Sequence, residues 1–520
     1  MGVYVGVYRR RGGKKVLKLS NITLRPHEKE SSLLKICERK LRAPVQYFRI
    51  LKKSLDARDK ADIKWVYTVE CSDRAEPLPA PEYQQIRGAM PRVVIVGAGP
   101  AGLFCALRLL AHGIRPIVIE RGKKVEERAQ DILAFQCTGV LDPSSNVQFG
   151  EGGAGAFSDG KLNTQTNSPL NREVLDGFVR FGAPAEVGYL GKPHVGSDNL
   201  KKVVANIRNY ILQNGGEVRF SSQLTGIETA DGKLTAVRIN GVKEEADALV
   251  LAIGHSARDT FELLLAQGVK MEQKEFAAGV RIEHLQSAIG KAQYGSGYAA
   301  LPPADYKLVS HAAERAVFSF CMCPGGVVIP SSSEEEGVVT NGMSEYARDG
   351  INANSALVVQ VKKEDFGSEH PLAGVAFQRK LERSAYRAGG GGYRAPVQLV
   401  GDFLAGRESY YFGGVRPTYA AGTSFAPVEA YLPSALAESL KAGILDMNGK
   451  LAGFADYDAV LTGVESRTSS PVRILRGEDL QAAGIGGLYP CGEGCGYAGG
   501  IMSAAADGIR VAYAIARKYF

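Results

Sequence analysis

Two kinds of hydrophobic spacing divide the chain. Residues 16–24, 45–51 and 63–69 alternate apolar and polar positions as half-buried strands do, and 30–41 repeats at helical spacing behind Ser31 or Ser32. These predict a small β-α-β-β module, followed by a proline-rich linker at Glu76–Pro81. From Pro91 onward the pattern changes. Val93–Val96 is a continuous apolar run, Leu103–Ala111 has helical spacing and is stopped by Gly113, and Ile117–Ile119 is a second short apolar run. The glycine-rich stretch Phe149–Leu162 reads as a loop. Leu200–Leu212 reads as a helix and Glu217–Phe220 as a strand, while Asp231-Gly232 and Asn240-Gly241 mark hairpin turns. Ala248–Gly254 is a buried strand running into glycine. Residues 260–430 carry mixed strand-like runs, and Met502–Arg517 is a small-residue helix.

The junction of the first buried strand with its helix carries chemistry. Gly97, Ala98, Gly99, Pro100, Ala101 and Gly102 spell G-x-G-x-x-G between strand and helix. The glycines serve a tight turn, close approach of backbone to a pyrophosphate, and close helix–strand packing. First-turn amides and the helix dipole then favour a phosphate. Glu120 ends the second strand where a carboxylate accepts hydrogen bonds from a ribose hydroxyl. In the following loop Gly153, Ala154, Ser158 and Lys161 supply consecutive amides, a hydroxyl and a cation suited to a pyrophosphate or a ring edge. Arg121, Leu224, Ala252 and Gly254 are counted with these cofactor-binding residues.

Bulk properties narrow the setting. A length of 520 residues implies two or three domains, and 45% hydrophobic with 23% charged residues is ordinary for a globular protein. No apolar run reaches the length of a membrane span, and the start lacks the apolar stretch of a signal peptide. The eight cysteines are scattered, so reduced thiols in a cytoplasm are expected. The net charge of +8 is uneven: residues 1–92 hold 21 Lys+Arg against 10 Asp+Glu, and the remainder is slightly acidic. Beyond Tyr47-Phe48-Arg49 the cations are not interleaved with stacking aromatics, which favours a solvated face over nucleic-acid contact.

Near the C-terminus a last motif, Gly486-Gly-Leu-Tyr-Pro-Cys-Gly-Glu-Gly-Cys-Gly-Tyr-Ala-Gly-Gly-Ile501, precedes the final helix. Its order after the βαβ unit and the strand–meander–strand resembles the FAD domain of glutathione-reductase-like and aromatic-hydroxylase-like flavoproteins. Further strings narrow the likeness, among them Gly150–Leu162, Gly279–His284, Phe320-Cys-Met-Cys-Pro-Gly-Gly326 and Ser466–Ile474. With them the chain resembles a bacterial family of FAD-dependent dehydrogenases whose reactions are largely unassigned. The resemblance implies FAD as cofactor, Gly492 and Glu493 at the ribityl–phosphate groups, and the amides of Gly499, Gly500 and Ile501 under the ring. That family more often has Asp where this chain has Glu493, and alanine where it has Cys495.

The fold class expected is α/β: a Rossmann-type FAD-binding domain in two segments (91–260 and 441–520), an inserted α+β substrate or cap domain (261–440), and the β-α-β-β module (1–80). Candidate catalytic residues are Lys161, Cys491 and Arg467, the last as a guanidinium fork for a carboxylate or a reduced flavin, or else as an interdomain ion pair. Cys321-Met-Cys323 and Cys491-x-x-x-Cys495 lack flanking histidines, so they read as small packing residues and no metal site is expected. The histidines, His255 and His284 included, read as structural or surface residues. No second G-x-G-x-x-G follows a strand, so NAD(P)H would bind without a Rossmann unit of its own, or electrons come from a small-molecule substrate. The expected reaction is hydride transfer between that substrate and flavin N5. A flavin monooxygenase, or an RNA-associated regulatory flavin-binding protein using the basic module, stand as alternatives.

Overall fold

The protein is described by a computed structural model over residues 4–11, 14–75, 82–164 and 168–520; the expected Glu76–Pro81 linker lies outside the described residues. The N-terminal sheet has four antiparallel strands in the order Tyr4–Arg11, Lys14–Leu24, Lys64–Ser72, Tyr47–Asp56. Helix Ser32–Leu41 packs on it through Leu33 and Cys37, against Leu17, Leu19 and Val69. The module is therefore β-β-α-β-β, one strand more than the periodicity indicates. Gly6 and the arginines at 9–11 obscure the alternation of Tyr4–Arg11, whose pairing with Lys14–Leu24 supplies what its pattern does not.

The apolar runs 93–96, 117–119 and 248–251 become neighbours in a five-stranded parallel sheet. Its order is Leu488–Pro490, Ala248–Leu251, Val93–Val96, Pro116–Ile119, Glu217–Arg219. Because both faces are covered, both sets of alternate side chains must be apolar. Val93 and Ile95 meet one core with Phe104, Leu109 and Ile509, from helices Pro100–Ala111 and Ile501–Ala516. Val94 and Val96 meet the other with Leu234, Val237 and Phe261. Asp231, Gly232, Asn240 and Gly241 all have positive φ, between 48° and 83°. This is the conformation that two-residue hairpin loops demand in the meander Leu224–Ala230, Lys233–Ile239, Val242–Glu245.

A second, seven-stranded sheet has the order Val309–Ser310, Val317–Cys323, Asn352–Val361, Phe276–Leu285, Val460–Glu465, Ala395–Leu399, Thr423–Phe425. All its pairs are antiparallel except the last. Helix Ser434–Lys450 packs on it through Leu436, Leu440, Ile444 and Met447. The expected boundary at 441 thus falls too early. Residues 434–465 build the second sheet, and only Leu488–Pro490 returns to the parallel one. The run Val460–Glu465 is fully buried, and apolar continuity alone does not say which of two sheets a strand joins.

Candidate functional site: a cavity walled by both sheets

A cavity open to solvent is lined from both sheets. On the parallel-sheet side the Gly97 turn forms its wall. Gly97 has φ 105°, its N–H donates to Ile119 O (2.8 Å), and a Cβ there would stand 2.3 Å from Ala252 O, so only glycine fits. Gly99 caps helix Pro100–Ala111, with Pro100 at its first position, and a Cβ on Gly99 would meet nothing closer than 3.8 Å. Gly102 and Ala98 lie behind this wall, Gly102 against Gly97 O.

Glu120 is buried and lines the cavity. Its carboxylate accepts three backbone N–H groups at 3.0 Å, from Ala98, Gly122 and Gly150. About four lone-pair directions are available to a carboxylate, so this fixed group keeps capacity for one more donor such as a ribose hydroxyl. Beside it, Arg121 spends its guanidinium on Asp259 (2.8 and 3.0 Å) and Thr260. Gly153 and Ala154 reach the cavity from the loop, and Ile501 packs over Gly155.

The second helix N-terminus on the same cavity is Ile501. Its cap, Gly500, has φ 131° with open space where a side chain would project, as has Gly499. The Gly499 N–H donates to the Ser503 hydroxyl (3.1 Å) and the Gly500 N–H to the Glu493 carboxylate. Burial pushes the Glu493 carboxyl up to about 7, against the pull of Lys274 and that N–H. Gly492 stands just behind, its N–H donating to Asp507 (2.8 Å). Leu224, Ala252 and Gly254 complete this side of the lining. Two helix N-termini, a pre-oriented carboxylate and open glycines suit a dinucleotide with an anionic linker and an electron-accepting ring, the donor set FAD requires.

The three candidate catalytic residues all line the cavity, with different freedom. The Lys161 ammonium donates to Met322 O, and Ser158 turns its hydroxyl to Gly155 O (2.8 Å). Cys491 is buried, which raises its thiol well above the ordinary value. Arg467 is not a free fork. Its guanidinium binds Glu382 (2.9 and 2.9 Å) and Ser333 (2.6 Å). Glu382 also takes Arg258 (2.7 and 2.9 Å) and the Ser466 hydroxyl (2.7 Å), so the ion-pair reading of Arg467 describes its observed partners.

Other lining residues carry chemistry that spacing did not single out. Glu465, 5% exposed, ends strand Val460–Glu465 on the cavity wall. Burial pushes its carboxyl above the usual carboxylate range, while Arg281 (3.6 Å) and the Thr340 hydroxyl pull it back. His255 also lines the cavity. Burial, with Arg467 and Arg258 nearby, pushes it down to about 3, so it is a neutral imidazole at pH 7. His284, by contrast, faces Phe454 O (2.9 Å) in the core. Cys321 and Cys323, expected as packing residues, both line the cavity. The available signal was position: Glu465 immediately precedes the singled-out Ser466–Ile474 string.

Comparisons with known proteins place the chain among FAD-dependent proteins. A family described as FAD-dependent protein, C-terminal domain-like, matches residues 275–468, an FAD binding domain matches 90–132, and a domain of unknown function matches 16–72. A Clostridium beijerinckii protein, described only as uncharacterized, is 47% identical over 97% of this chain and 99% of its own length. A dual trans-enoyl reductase/FAD-dependent monooxygenase of Aspergillus terreus is 32% identical over 27% of this chain and 19% of its own. Among solved structures, L-amino acid deaminase from Proteus myxofaciens is 13% identical with a TM-score of 0.35, over 85% of this chain and 94% of that one.

Proposed function

We propose, from the premise that this chain belongs to the family of FAD-dependent proteins represented by the Clostridium beijerinckii relative, that it acts as a dehydrogenase on a small organic substrate. It is an FAD-dependent oxidoreductase, and FAD is its cofactor. The residues that would hold FAD are the Gly97–Gly102 turn and Glu120 at the adenosine–diphosphate end, and Glu493 with the Gly499–Ile501 helix start at the other. When bound, FAD supplies a two-electron acceptor at N5.

The observation that carries the dehydrogenase reading is Glu465. A dehydrogenation that removes hydride from carbon also releases a proton from the adjacent oxygen or nitrogen. A buried carboxyl whose proton affinity burial raises above the ordinary carboxylate range, on the wall contributed by the second sheet, suits that proton. Arg281 lies behind Glu465 and keeps its ionised form accessible, and Thr340 fixes its orientation. Neutral His255 offers a hydrogen-bond partner for the same substrate group. Closure of the cavity around an occupied cofactor would exclude water from the exchange.

The test is anaerobic bleaching of the bound flavin absorbance by NADH, NADPH and a panel of alcohols, amines and hydroxy acids. Bleaching by one of the organic substrates supports dehydrogenation; bleaching by NAD(P)H alone, with product formed only when oxygen is admitted, supports a monooxygenase. The local likeness to the Aspergillus terreus protein favours that second reading.

A further inference from the structure

We propose that Cys321 and Cys323 form a redox-active pair inside the flavin cavity, cycling between dithiol and disulfide by exchange of an electron pair with FAD. This rests on FAD as cofactor and is independent of the dehydrogenase reading.

Both cysteines line the cavity that holds the Gly97 turn and the Gly499–Ile501 helix start. Residues two apart in a regular strand are about 6.6 Å apart, the outer limit for bridging by sulfur. The strand Val317–Cys323 is not regular here. Cys321 has φ 40°, a left-handed conformation uncommon for a side chain of its kind, and the register against Asn352–Val361 shifts between Phe320 and Cys323. Such a kink departs from the even spacing of a flat strand and brings the Cys323 thiol onto the backbone of Cys321. The Cys323 Sγ indeed lies 3.3 Å from Cys321 O.

Two cations hold this kink by its carbonyls. Arg281 donates to Cys321 O (2.7 Å) and Lys161 to Met322 O. Arg281 is fully buried, and its only carboxylate partner among the described residues is Glu465 at 3.6 Å. A buried guanidinium so weakly paired favours negative charge nearby, and a thiolate is the form that attacks or leaves in disulfide exchange. Cys323 is buried, which raises its thiol, whereas Cys321 is exposed on the cavity wall; Arg281 and Lys161 favour the thiolate at both. A packing role explains neither the cavity position nor the two cations on consecutive carbonyls.

The step balances without another reagent. Two S–H bonds break and one S–S bond forms; the two electrons and two protons pass to FAD, giving FADH2. In reverse, FADH2 cleaves the disulfide and restores two thiols. A disulfide or dithiol compound small enough to enter the cavity is the class of outside partner that would exchange with the pair.

The experiment uses full-length holoprotein. Air-oxidised and anaerobically dithionite-reduced samples are denatured in iodoacetamide and mapped by mass spectrometry, and the reduction is followed as electron uptake per bound flavin. Expected are a Cys321–Cys323 peptide that is unlabelled and lighter by two hydrogens after oxidation, doubly labelled after reduction, and uptake of two electron pairs per flavin. Cys321→Ser and Cys323→Ser should each reduce the uptake to one pair. Full labelling of both cysteines in the oxidised protein, with one electron pair per flavin in the wild type, would overturn the proposal. The wild-type labelling decides the matter even where a serine variant fails to fold.

Discussion

A Cβ on Gly508 would stand 2.1 Å from the carbonyl oxygen of Ala101. Gly508 lies in helix Ile501–Ala516 and Ala101 in the first turn of helix Pro100–Ala111, so the two helices whose starts face the cavity touch backbone to backbone. The spacing of the two cavity ends is set here. Gly508→Ala should separate the helices, cost about 1–3 kcal/mol by overpacking, and weaken FAD retention together with stability. Gly449→Ala is the control. That glycine is exposed near the end of helix Ser434–Lys450 with nothing in reach of a Cβ, and the change should be neutral or stabilise by about 0.5–1 kcal/mol. Thermal unfolding and flavin content of the two variants check this.

Gly99→Val separates cofactor binding from folding. Gly99 has extended backbone (φ −81°) and room for a side chain, so the variant should fold with a near-unchanged melting temperature in the FAD-free state. Its side chain would occupy the space a diphosphate needs beside the helix start. FAD content after purification and reconstitution should fall at least tenfold; unchanged occupancy would reject the assignment of this turn.

Glu382 is 1% exposed and its carboxylate is held well below the usual range; burial acts against this, and Arg258 and Arg467 outweigh it. A depressed carboxyl stabilises the fold fully above its ordinary value near 4.5 and loses that contribution as pH falls below it, because the unfolded chain then binds the proton first. Glu382→Gln leaves the buried Arg467 without its carboxylate and Arg258 with Glu334 alone, and should cost about 3–5 kcal/mol at pH 7. The gap between variant and wild type should narrow as pH falls from 4.5, measured as urea midpoints.

Glu465 behaves oppositely, its carboxyl raised above the ordinary 4.5. Acting as a base it must be ionised, so substrate-driven flavin reduction should rise with pH through a value above 4.5 and then level. Glu465→Gln should lose that rising limb and slow reduction by about 10²–10⁴-fold, with flavin content retained. Anaerobic stopped-flow reduction across pH reads both. A rising limb that persists in the variant would assign the proton to another group.

The sequence reveals what is local. Val93–Val96, its glycine turn, the following helix and the Asp231-Gly232 and Asn240-Gly241 hairpins can be read because each is specified by residues within a dozen positions. Glu465, His255 and the Cys321–Cys323 kink escape such reading, since they become a site only when distant strands share a cavity. Arg467 shows the same limit from the other side. Its fork was visible in the sequence, whereas the Glu382 that occupies it lies 85 positions away. Strand Tyr4–Arg11 is missed because pairing, not pattern, makes it a strand.

The pairing of Leu488–Pro490 beside Ala248–Leu251 has a consequence for biosynthesis. The ribosome makes Val93–Val96 about 390 residues before that last strand, a delay of roughly 20 to 80 s at ordinary translation speeds. For about the last 240 residues of that interval the nascent chain carries an uncapped edge at Ala248–Leu251 and half a flavin pocket. Loading of the vitamin-derived cofactor therefore awaits late translation, when Leu488–Pro490 covers that edge and brings the second half of the pocket.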